Sequence, residues 1–429
     1  MRTNVLLLSA PMLMAMLLLS CYQSLPCAAE AAMDAPASFD GRVFWRTNVS
    51  GQVYVAPLID DGMVIVATFN GTIYWLNATS GHELFNRSFE MLSTGLGSTE
   101  NYILFGSSEG NLSCVDKHTG ELKWKKDLGL GMVTFTPLVQ GTNVIAGTYD
   151  LYSREPPFVH FVDFRTGETV KKIQVDDQPG LTPVVCQGGL YLTMTWGMLV
   201  RIDLNTYDMK AVQATVDMPS EPIIFNENIY FGTSEGELLC YDLDLNEVWR
   251  ANVSGRISEP PVMVNGNWVL MTTSMDYFIE GGNLWFISGS SMQAGDLSGA
   301  RNITLDKFPI SISLVGDHLG IVLSKWFGIT ELRYYDGNGT PLWNHTLGTN
   351  VGASPLSKEY YGIASIATSD GEILTFGELK GQPVVGQDPD EDDHKTFFDS
   401  YLFYLSISLV LLIAVVVVVI LLARKKRGQ

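Results

Sequence analysis

Short apolar runs recur along this chain, each closed by a polar turn and followed by an aromatic residue on the next run. The clearest copy is Cys114-Val115-Asp116-Lys117-His118-Thr119-Gly120-Glu121-Leu122-Lys123-Trp124. It reads as the end of a strand, an Asp, a Thr-Gly turn, then a Trp on the next strand. Degraded copies run from Trp75 to Phe85, from Phe161 to Gly167, from Arg201 to Thr206 (without the glycine), from Cys240 to Trp249 and from Tyr334 to Trp343. Two weaker copies sit near Ser288 and Glu378. The turn-leading positions are 77, 116, 163, 203, 242, about 288, 336 and about 378. That spacing is the length of a four-stranded blade, and eight turns predict an all-β, eight-bladed propeller.

Each recurring residue has a mechanical reason. Asp or Asn bonds backbone amides just downstream and starts the turn. Gly accepts the positive φ that a tight turn needs. The aromatic residue is expected to wedge between neighbouring blades. A second landmark is a Pro followed by apolar residues, as at Pro57, Pro137, Pro183, Pro222, Pro261, Pro309 and Pro355. Proline suits the first residue of a strand, where no ladder donor is required. Two-residue hairpins are signalled by Asn70-Gly71, Glu109-Gly110, Glu235-Gly236 and Asp370-Gly371. The segment from Gly41 to Gly51 matches the fourth-strand segment from Glu247 to Gly255, while the last repeat supplies only three strands. The N-terminal segment is therefore expected to complete the final blade, which removes two open edges.

The motif Ala-x-Asp-x-x-Thr-Gly-x-x-x-Trp, met here from Cys114 to Trp124, resembles the repeat of pyrroloquinoline-quinone-type β-propellers. That family includes quinoprotein alcohol dehydrogenases and BamB-type outer-membrane assembly factors. The resemblance implies the fold over about residues 41–378. It leaves function open, because sites are grafted onto folds.

The chain ends predict a compartment. Arg2, the apolar run Val5 to Leu19 and the small residues Ala28-Ala29 mark residues 1–29 as a secretory signal peptide, with an uncleaved anchor as the competing reading. Residues 41–379 form the propeller and 380–400 an acidic stalk containing Asp388, Asp390, Glu391, Asp392 and Asp393. Residues 401–423 carry no charge and are long enough to cross a bilayer core of about 30 Å as a helix. The basic tail 424–429 is expected to stay inside. The lipid bilayer is thus one expected partner. The formal charge is −19. Nucleic acid is excluded as a partner, since phosphate binding needs a basic face.

Nine asparagines begin an Asn-x-Ser/Thr triplet and are candidate N-glycosylation sites: Asn48, Asn70, Asn77, Asn86, Asn111, Asn252, Asn302, Asn338 and Asn344. Asn48, Asn86, Asn252, Asn302 and Asn344 fall on or beside expected fourth strands, where a sugar would block edge pairing. Cys114, Cys186 and Cys240 are expected to be buried free thiols, and Cys21 and Cys27 to leave with the signal peptide. Secretion without disulfides, dense sequons and a C-terminal anchor favour an archaeal type of cell surface.

Catalysis finds little support. The chain has no adjacent cysteines, no Cys-x-x-Cys-His and no Gly-x-Ser-x-Gly elbow. Its histidines share no metal-ligand spacing. We therefore expect no enzyme activity, no cofactor and no metal. Function is expected on the face formed by the hairpins between second and third strands, where the repeats are broken. The candidate partner-binding residues there are Tyr149, Asp150, Tyr152, Arg154, Trp196, Asp276, Tyr277, Phe278, Trp326 and Phe327. Aromatics beside an Arg on a rigid scaffold resemble interface hot spots. The competing reading is that these rings cap their own hairpins or plug the channel mouth. The sequence points to a binding or scaffold module for another envelope protein or a surface polymer. An envelope assembly factor is the alternative, and a quinone-dependent oxidoreductase comes third.

Overall fold

The computed structural model describes residues 42–150, 155–274, 281–325, 328–349 and 352–378. They build eight antiparallel sheets that follow one another in chain order. Blades one to seven cover residues 58–88, 97–127, 132–174, 184–213, 223–252, 262–305 and 308–349. The eighth combines Ile363–Ala367 and Glu372–Gly377 with the N-terminal strand Val43–Asn48. The expected signal peptide, stalk, membrane helix and basic tail lie outside the described residues. Among the described residues no helix is long and apolar enough to cross a membrane.

No blade owns a core. The middle strands are apolar on both faces, and all five residues of Met63–Ala67 are buried. A sheet with two apolar faces must be covered on both, and here each neighbour covers one. The buried side chains accordingly fall into eight clusters, each shared by two consecutive blades. One of them joins Val64, Val66 and Leu76 of blade one to Ile363, Ala367 and Ile373 of blade eight. The array is therefore a closed ring.

Closure uses the N-terminal strand, as its sequence implied. Thr47 lies opposite Ile373 and Asn48 opposite Glu372 in an antiparallel ladder. The innermost strand of this blade is reduced to isolated bridges, Ala353 with Thr368 and Tyr360 with Ile363. Tyr360 then receives a hydrogen bond from the Gly62 amide of blade one at 3.2 Å.

The Thr-Gly turns explain the blade-to-blade register. Asp163 Oδ1 accepts from the Arg165 and Thr166 amides at 3.1 and 2.8 Å. The Thr166 hydroxyl and amide hold this carboxyl below its ordinary range. The turn glycine then seats on the aromatic ring of the preceding blade. A Cβ on Gly81 would lie 2.5 Å from the Trp45 ring, and one on Gly167 2.9 Å from Trp124. Trp45 Nε1 donates to the Ala78 carbonyl at 2.7 Å, and Trp124 Nε1 to that of Phe164 at 2.8 Å. The expected wedge is thus a docked indole with a hydrogen bond.

Blade six departs from the pattern. In place of the turn near Ser288 stands a short helix, Gly289–Ala294, capped by the Ser288 hydroxyl. Gly295 still packs against Trp249, but Trp249 Nε1 finds no acceptor. Pro309 also departs: it sits inside the strand Phe308–Val315, beside a register shift. Cys114 and Cys240 are buried free thiols, with burial pushing each up to about 12. Cys186 is buried and disulfide-bonded rather than free.

Candidate binding face

The hairpins between second and third strands share a face with the connections between blades. The Phe69 amide of one such hairpin bonds the Gln52 carbonyl, and Ser108 bonds Met91 in the next blade. Of the ten candidate partner-binding residues, Tyr149, Asp150 and Trp196 are described. Tyr152, Arg154, Asp276, Tyr277, Phe278, Trp326 and Phe327 lie outside the described residues. Tyr149 ends the strand Asn143–Tyr149 opposite Met132 and is half-buried, as is Asp150. Trp196 stands out, with 61% of its surface exposed.

Local structure holds the Trp196 hairpin from both sides. The Trp196 amide donates to Asp177 Oδ2 at 2.7 Å, while the Gln178 amide donates to Oδ1 at 2.6 Å. Asp177 is buried, and burial pushes its carboxyl above the ordinary range despite these amides. Gln213 Nε2 donates to the Trp196 carbonyl at 2.8 Å. Gly197 has φ +85°, and a Cβ there would lie 2.2 Å from the Thr215 carbonyl. Its own carbonyl accepts from the Ala214 and Thr215 amides at 3.0 and 3.2 Å. Only glycine lets the hairpin approach the next connection this closely. The indole is thereby presented on fixed backbone.

Beside it runs an open groove of about 550 Å³ between blades four and five. Gln213, Val216, Asp217, Glu235, Arg250 and Asn252 are among its lining residues. Val216 is 84% exposed. Arg250 is clamped by Glu247 at 2.6 Å and Glu237 at 3.2 Å, and reaches the Ala214 carbonyl at 3.2 Å. The groove thus offers the exposed Val216 side chain, a fixed guanidinium and several carboxylates, with Trp196 linked to it through Gln213. Desolvated apolar anchors within a polar rim are the usual makeup of a protein-binding patch. Sequence reasoning found Trp196 but missed Val216 and Asp177. The connection from Ala214 to Asp217 repeats nothing, and its only signal is an isolated Val among polar residues.

A second polar feature lies along the first strands. A cavity of about 160 Å³ is lined by residues of blades two, three, four and eight, among them Ser98, Thr136, Thr182 and Lys358. Blades on opposite sides of the ring meet only near its axis, so this is the central channel. Glu221 and Glu259 are buried in the first-strand approaches of blades five and six. The Thr182 amide donates to Glu221 Oε1 at 3.1 Å. Burial pushes Glu221 up to about 8. Glu259 is held well above the ordinary range, first by burial and then by the charge of Glu221. Among the described residues no cluster of three or more His, Cys, Asp or Glu could hold a metal ion.

The sequon asparagines fall where expected. Asn48, Asn86, Asn252, Asn302 and Asn344 are exposed on fourth strands. Asn70 and Asn338 are exposed in turns, whereas Asn77 and Asn111 are half-buried. Asn77 Oδ1 is occupied by the Thr79 and Ser80 amides, and Asn111 Nδ2 by Glu90.

A profile of the family described as outer membrane protein assembly factor BamB matches residues 35–206 and 70–280. Proteins of that name from Yersinia pestis and Burkholderia pseudomallei are each 25% identical, over 235 and 166 residues. Those alignments cover 50% and 36% of this chain, and 57% and 42% of the relatives. The chain thus spans little more than half the length of the first. Among solved structures, BamB from Moraxella catarrhalis superposes with a TM-score of 0.60 at 14% identity, covering 79% of this chain and 100% of that one. A quinohemoprotein alcohol dehydrogenase from Pseudomonas putida HK5 gives 0.64 at 11% identity, covering 82% and 78%. At such identities both likenesses show the fold alone.

Proposed function

Because the chain belongs to the family described as outer membrane protein assembly factor BamB, we propose that it is a non-catalytic envelope propeller whose ligand is another envelope protein. The observation that carries this reading is the Trp196 hairpin, pinned by Asp177 and Gln213 beside the groove of Val216 and Arg250. A rigid exposed indole loses little conformational entropy on binding. The family match favours an assembly role over a static scaffold, and the envelope location rests on the expected signal peptide and membrane helix. Residues 1–29 would direct secretion and 401–423 would anchor the propeller outside the cytoplasm.

The test is a photo-crosslinking residue at Val216 in cells, with and without Trp196→Ala. One defined envelope protein in the adduct, lost in the variant, supports a dedicated scaffold. A spread of unfolded clients, also lost, supports an assembly factor. Adducts unchanged by Trp196→Ala would reject this face. An oxidoreductase reading predicts a quinone absorbance band in the purified protein, or one gained on reconstitution with the quinone and calcium. Neither is expected.

A further inference from the structure

The eight fourth strands form the outer rim of the ring, and their chemistry divides it into two arcs. Five consecutive blades, from five round to one, carry a sequon asparagine on that strand: Asn252, Asn302, Asn344, Asn48 and Asn86. Blades two, three and four carry none. Instead their fourth strands, Leu122–Asp127, Thr169–Gln174 and Met209–Gln213, hold Lys123, Lys125, Lys126, Lys171, Lys172 and Lys210. These are six of the fourteen lysines in the chain. No other fourth strand has a lysine, and four of the five have a single arginine.

We propose that the rim of blades two to four is a docking surface for an Asp/Glu-rich segment of a partner protein. The three blades are consecutive, as the Trp124 bond to Phe164 and the Phe161–Tyr207 ring contact show. Their lysine-bearing fourth strands therefore follow one another along the rim of a chain of formal charge −19. Within the chain these lysines make contacts that are mostly exposed, Lys210 donating to the Asp244 carbonyl. Lys123 meets Asp116 at 3.4 Å and Lys126 meets Glu168 at 3.6 Å. Lys125 pairs with Glu90, and Lys172 lies 3.6 Å over the Phe158 ring. Exposed pairs of this kind contribute little to stability. Lys171 is exposed and has no ion pair among the described residues. Opposite charge steers such a partner in a salt-dependent way. The competing role for edge lysines is to prevent sheet-to-sheet pairing, and the experiment separates the two.

The probe is labelled poly-L-glutamate, titrated against the full-length protein in detergent at low and moderate salt. Two triple variants have equal charge change: Lys123→Glu/Lys171→Glu/Lys210→Glu on the lysine-bearing strands, and Arg46→Glu/Arg87→Glu/Arg301→Glu on the other arc. Expected are salt-sensitive binding by the native protein, a loss of about tenfold in the lysine triple, and a change below about threefold in the arginine triple. Trp196→Ala should bind the probe like the native protein, so failure here is distinguishable from failure of the groove reading. The proposal is overturned if the native protein does not bind, or if both triples lose affinity equally. It is also overturned if the lysine triple self-associates while still binding the probe, which makes the lysines edge guards.

Discussion

Replacing Glu221 by Gln should remove a pH-dependent weakness built into the axis of the ring. Glu221 is 5% exposed and accepts a hydrogen bond from the Thr182 amide. Burial disfavours the charged form and moves the carboxyl from 4.5 to about 8. The folded chain therefore holds this proton across a window in which the unfolded chain has released it. Stability from this group is fully present below about pH 4.5 and is lost as pH rises towards 8. Each pH decade inside the window costs ~1.4 kcal/mol, so the loss between pH 5 and pH 8 reaches ~4 kcal/mol. Gln cannot ionise, and its carbonyl still accepts from Thr182. The variant should match the native protein within ~1 kcal/mol at pH 5 and exceed it by most of ~4 kcal/mol at pH 8. Urea midpoints followed by tryptophan fluorescence at several pH values measure this. Two parallel pH profiles, or a variant equally weakened at both ends, would refute the reasoning.

Trp45→Ala should destabilise the ring by ~3–5 kcal/mol, about as much as Trp124→Ala. The first removes a buried indole and the second a half-buried one, each with a hydrogen bond to the next turn; urea unfolding of both variants checks the equivalence. Asp177→Asn can accept only one of the two amide bonds. It should cost ~1–3 kcal/mol and speed hydrogen exchange at residues 195–198, with blade one unchanged. Cys114 and Cys240 should resist a thiol reagent at neutral pH until the protein unfolds, because burial holds both as thiols up to about 12; mass spectrometry counts the labels.

Much of the architecture was legible because the repeat is mechanical. Asp116, Gly120 and Trp124 each have one role in docking blade to blade, so their spacing reports the fold directly. The likeness of the segment Gly41 to Gly51 to a fourth strand was enough to assign it to blade eight. The helix Gly289–Ala294 was not legible, because an insertion erases the turn while Gly295 keeps its place on Trp249. The candidate site was legible only in part. Trp196 could be found as an aromatic in a broken hairpin. Its support by Asp177, and its neighbour Val216, depend on which connection packs against which hairpin. Glu221 looked like one more residue before a proline. Its pairing with Glu259 arises because first strands of adjacent blades converge on the axis.

Every reading of this molecule requires that the first described strand complete the last blade, since the ring fixes where the groove, the channel and the rim lie. Thr47→Cys with Ile373→Cys tests it directly, because residues directly opposed in an antiparallel ladder lie within disulfide range. Under mild oxidation, peptide mapping should find the two engineered cysteines joined within one chain. Engineered thiols that stay free, or that join only different chains, would contradict the closed ring.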